Sequence, residues 1–93
     1  MTVRSDTNPD YAATLALDAL TFVLNEPLRA DRFIGMTGLT PDNLRERLKD
    51  PSTLAAILAF LEAYEPDLIA CAESTGHTPE ALVAARRTLE QAA

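Results

Sequence analysis

Apolar side chains recur at helical spacing in six runs, and each run opens on a proline. The first, about 9–25, carries Tyr11, Leu15, Leu17, Leu20, Phe22, Val23 and Leu24, a face wide enough to be largely buried, with Asp10 and Asp18 on its wet side. The second, about 27–36, is read with Leu28, Phe33 and Ile34 inward, Arg29, Asp31 and Arg32 outward, and Gly35 and Gly38 at its end. The third, about 41–49, has Leu44 and Leu48 one turn apart, and Leu39 is placed to pack on Leu44 as a hydrophobic staple. The fourth, about 51–64, runs from Leu54 to Leu61 without a charge, so it should be surrounded by the others. The fifth, about 66–75, offers Leu68, Ile69 and Ala72 inward. The sixth, about 79–91, sets Leu82, Val83 and Leu89 on one side and an Arg86–Glu90 pair on the other. The pattern predicts an all-α fold, a compact orthogonal bundle of about six short helices.

The punctuation between the runs explains why each stops and starts. Asn8-Pro9, Thr40-Pro41, Asp50-Pro51 and Thr78-Pro79 put a capping side chain directly before a proline at the first helical position. Glu26-Pro27 and Glu65-Pro66 lack such a cap, but the residue before a proline is pushed out of the α region, which predicts a break there too. Thr37-Gly38-Leu39-Thr40-Pro41-Asp42-Asn43-Leu44 returns as Thr75-Gly76-His77-Thr78-Pro79-Glu80-Ala81-Leu82. In each copy the glycine, Gly38 or Gly76, suits the left-handed residue that closes a helix, and the threonine, Thr40 or Thr78, suits the next cap. Leu20-Thr21-Phe22 and Glu26-Pro27 likewise match Leu58-Ala59-Phe60 and Glu65-Pro66, at a spacing of 38 or 39 residues. Two related three-helix halves would produce this recurrence; chance similarity in a Leu/Ala-rich chain is the alternative.

Length and charge narrow the class. Ninety-three residues suit one domain, read as residues 9–93 behind a flexible tail at 1–8 that has neither the apolar core of a secretory signal nor that of an anchor. A net charge of -6 favours solubility and disfavours binding to phosphate backbones or anionic membranes. The single cysteine excludes an internal disulfide framework and fits a reducing compartment, so a cytoplasmic location is expected.

The chain also resembles a known family. A Leu/Ala-rich first helix, the motif Thr37 to Pro41 with Leu44 and Arg45 after it, the Asp50-Pro51 start of an Ala/Leu/Phe helix and a closing Thr-Pro-capped helix are similar to a small uncharacterised bacterial family, domain of unknown function 3572. The resemblance spans roughly 11–89. It implies a small intracellular helical protein and transfers no catalytic residue, cofactor or activity.

Chemistry-bearing residues are few. His77 is the one histidine, with Cys71 and Glu73 the nearest partners along the chain, yet it occupies the position of Leu39 in the other copy and reads as a staple against Leu82. Cys71 reads as a buried inert thiol, and a zinc site would need three or four ligands, whereas Cys71, Glu73 and His77 straddle a helix end with no second cluster nearby. The acids that follow four of the six prolines, Asp10, Asp42, Asp67 and Glu80, complement helix dipoles. No phosphate-cradling loop or nucleophile elbow is present, so neither an enzyme nor a cofactor or metal is expected. Asn43, Arg45, Arg47 and Lys49 form a local basic cluster on a capped helix, as a helix-turn-helix regulator would use against DNA, although Asp42, Glu46 and Asp50 interleave with them. The leading expectation is a small acidic module that binds a protein partner or itself, with surplus alanines such as Ala12, Ala13, Ala16, Ala81, Ala84 and Ala85 either forming an apolar patch or lining the core.

Overall fold

The computed structural model describes residues 8–93; of the predicted tail at 1–8, all but Asn8 lies outside the described residues. Among the described residues six helices and no strand occur: α1 Pro9–Leu24, α2 Pro27–Thr37, α3 Pro41–Arg47, α4 Pro51–Glu62, α5 Glu65–Thr75 and α6 Pro79–Ala92. The chain is all-α, as the periodicity predicts.

The capping chemistry accounts for the boundaries. Side chains of Asn8, Thr40, Asp50 and Thr78 each accept a backbone N–H of the first turn that follows, Thr40 from Asn43 at 3.2 Å and Thr78 from Ala81 at 3.0 Å. Gly38 and Gly76 sit at φ 75° and 77°, the left-handed region a β-carbon disfavours, and their N–H groups return to Ile34 O and Ala72 O. Even the preceding threonines behave alike: Thr37 Oγ1 donates to Phe33 O and Thr75 Oγ1 to Cys71 O, both at 2.7 Å. Thr40→Ala and Thr78→Ala should each lower stability by about 1 kcal/mol. Denaturant melts check this, and unequal losses would show that the two caps do not do equivalent work.

Two boundary readings need correction. Glu26 is itself a cap, since its extended backbone lets the longer carboxylate fold back to accept Leu28 N–H at 2.8 Å. Gly35 does not end α2; it lies inside the helix, and Gly38 alone takes the left-handed conformation there.

The core forms where α6 packs along α4 and α1, with α5 and α2 closing the sides of α4. Ile57, Leu58 and Leu61 of α4 are buried, as a helix apolar all round requires. On α1 the inward stripe is Ala12, Leu15, Ala16, Ala19, Leu20 and Val23, so Ala12 and Ala16 belong to the core rather than to a surface patch. Small residues there let α6, with Ala85 inward, approach closely. Tyr11, Leu17 and Leu24 of α1, Leu28 of α2 and Ile69 of α5 are exposed, against expectation. Helix α1 has more apolar residues than its buried stripe can hold, and Leu28 falls on the far side of α2 from the buried Phe33.

The two copies of the punctuation lead to differently placed third helices. Helix α6 is a central element, whereas the seven-residue α3 has no extended packing with another helix and rests at the C-terminal end of α1 through Leu44 and Leu48.

Candidate functional site

The predicted basic cluster does not form one presented face. Asn43 is half-buried and its Oδ1 accepts the Thr40 hydroxyl at 3.0 Å, so the side chain serves the cap. Arg45 donates to Asp42 one turn back at 3.0 Å, with both side chains open to water. Helix α3 stops at Arg47, which leaves Lys49 in the turn that follows. In α6, the corresponding helix of the second copy, Arg86 is committed to the fold: Nε donates to Glu62 of α4 at 3.0 Å, tying α6 to α4, and Nη1 to Glu90 of the same helix at 2.7 Å. The Glu62 hydrogen bond holds its guanidinium above the ordinary pKa range.

His77 finds a partner that spacing along the chain did not suggest. The turn after Gly76 swings its ring toward α1, where Nε2–H donates to Asp18 Oδ2 at 3.0 Å. This contact joins the α5–α6 corner to α1 across 59 residues. Beside it lies an open hollow of about 260 Å³ lined by Asp18, Thr21, Phe22, Asn25, Ser74 and Thr75. Cys71 is fully buried, and burial pushes its thiol up to about 11, so it is protonated and unreactive at neutral pH. Glu73 points to solvent on the exposed side of α5. Among the described residues no three His, Cys, Asp or Glu side chains gather as a metal site would require.

One surface feature was missed in the sequence: a shallow groove between α2 and the end of α4, of about 340 Å³, lined by Arg32, Met36, Phe60, Ala63 and Tyr64. Its floor is anchored by Phe33, fully buried and packed edge-on against Phe60 with ring centres 5.2 Å apart. Arg32 lies 5.3 Å from the Phe60 ring and 5.5 Å from Tyr64, and pairs with Asp67 of α5. Arg29, expected to face outward, instead stacks 3.8 Å over Phe22 and donates to Phe22 O at 2.6 Å, satisfying a carbonyl at the C-terminus of α1. The two arginines fix the orientation of α2, and that orientation turns Leu28 and Met36 out to solvent at 75% and 65% exposure. Tyr64, 53% exposed, completes the rim. The only sequence signal for this was the helical wheel of α2, on which Leu28 and Phe33 stand apart.

No helix of the described residues is long and apolar enough to cross a membrane. Residues 9–92 match the family model described as a protein of unknown function, DUF3572. No curated protein and no solved structure matches the chain.

Proposed function

The chain belongs to the DUF3572 family, and we propose that it acts as a small non-catalytic protein-interaction module in the cytoplasm whose docking face is the outer side of α2 and the adjoining end of α4. The observation that carries this is the pairing of Met36 and Tyr64, both more than half exposed, around one groove floored by Phe60 and Arg32, with the exposed Leu28 further along α2. Single exposed apolar residues are ordinary, but a cluster on a pre-formed concave surface marks a contact site. The rigid floor limits the entropy lost when a partner docks. An acidic chain whose arginines Arg32, Arg45 and Arg86 are already paired suits a protein partner better than nucleic acid.

A photo-crosslinking residue at Met36, with one at the exposed Glu80 of α6 as control, tests the reading in the native cell. Adducts should form from position 36 in clear excess over position 80. Equal yields at the two positions, or none, overturn it.

A further inference from the structure

We propose that the occupant of this face is a second copy of the chain, bound through an antiparallel contact of α2 with α2 about a two-fold axis. The inference rests on the docking reading above and names its partner. At about 100° per residue, Leu28 and Gly35, seven apart, lie in line on α2, with Asp31 and Arg32 between them and Met36 at the flank. All five positions are exposed, whereas Phe33 faces the core on the opposite side.

That face is complementary to itself. When two α2 helices run antiparallel with the axis passing between residues 31 and 32, Leu28 of each copy lies over Gly35 of the other, and Asp31 of each lies beside Arg32 of the other. An isologous interface requires this reciprocity of large on small and of acid on base. Gly35 is the residue least explained by the monomer. It occupies a helix interior, where glycine is unfavourable, its φ is not in the left-handed region, and a β-carbon there would meet nothing within 4 Å. The second copy's Leu28 fills that space, because a missing β-carbon lets two helices approach closely. Asp31 has no salt bridge among the described residues, and Arg32 spends only Nη2 on Asp67, leaving donors for a second carboxylate. Met36 and Tyr64, which line the groove at one flank of this face, extend the contact. Its size is at the small end for specific interfaces, so association in roughly the micromolar range or weaker is expected.

Light scattering of the purified full-length chain from about 1 µM to 1 mM should show the mass rising from one chain to two. Asp31→Arg alone places Arg against Arg, and Arg32→Asp alone places Asp against Asp, so each variant should stay a monomer. Mixed in equal amounts, the two variants should recover the mass of two chains, because both cross-pairs are then of opposite sign. Since Arg32→Asp also removes the Asp67 pair, Gly35→Leu provides an independent check: it should melt no lower than the parent while losing the dimer. A single-chain mass throughout the range, or a dimer that survives Gly35→Leu and both charge reversals, overturns the inference. Crosslinks from position 36 to a different protein, with the purified chain monomeric, would sink the self-association and leave the docking face standing; a monomeric chain that forms no crosslink from position 36 to any protein, its own copies included, would sink both.

Discussion

Phe33→Ala should destabilise the protein by about 3–5 kcal/mol, the loss expected when a fully buried phenylalanine is truncated to a methyl group. The effect is large because of what α2 lacks elsewhere. Phe33 is its one buried residue, and the rest of its hold on the bundle is Arg29 over Phe22, Arg32 against Phe60, Tyr64 and Asp67, and half-buried contacts such as Ile34. The substitution removes the edge-on partner of Phe60 as well as the packed volume. A domain of this length has only about 5–14 kcal/mol of stability in all, so the midpoint of thermal unfolding should fall by roughly 15–30 °C. Calorimetry reads the drop, and hydrogen exchange should show α2 amides losing protection before those of α4. Phe33→Leu, which keeps most of the volume, should cost far less. A loss below about 1 kcal/mol for the alanine variant would mean that α2 is not anchored as described, and the groove it walls would lose its rigid floor.

Much of this architecture was legible because it is written locally. A proline, a capping oxygen two or three residues before an N–H and a glycine at positive φ are all fixed within one turn, and the helices begin and end close to where those signals fall. Directions were harder to read. Leu28 is apolar yet outward, and Arg29 is charged yet folded inward, because the orientation of α2 is decided by Phe33 meeting Phe60 and by a guanidinium meeting the last carbonyls of α1. The core stripe of α1 is half alanine, so ranking its residues by hydrophobicity favoured Tyr11, Leu17 and Leu24 over Ala12, Ala16 and Ala19. Long-range pairs such as His77 with Asp18, Arg32 with Asp67 and Arg86 with Glu62 depend on which helices lie side by side, and no spacing along the chain encodes that. The groove was missed for the same reason: its walls come from residues 32–36 and 60–64.

The sharpest test of that limit compares Leu44 and Leu82, which hold the same place in the two copies of the Thr-Gly-x-Thr-Pro motif. Local chemistry treats them alike, and both are buried, at 4% and 1% exposure. Their surroundings differ. Leu82 belongs to α6, which is packed along both α4 and α1, so a cavity left there is walled by helices that cannot close over it. Leu44 belongs to a seven-residue helix at the edge, beside a shallow apolar hollow shared with Leu20, Leu24 and Leu48, where side chains have room to settle. Leu82→Ala should therefore cost about 4 kcal/mol and Leu44→Ala about 2 kcal/mol, toward opposite ends of the range for buried leucines. Urea titrations of the two variants supply the comparison, with m-values checked so that a change in the denatured state is not mistaken for a loss of packing. Equal losses would mean that α3 is as deeply built into the bundle as α6. The two halves of the chain would then be equivalent in packing as well as in punctuation, and the placement of α3 at the edge would be wrong.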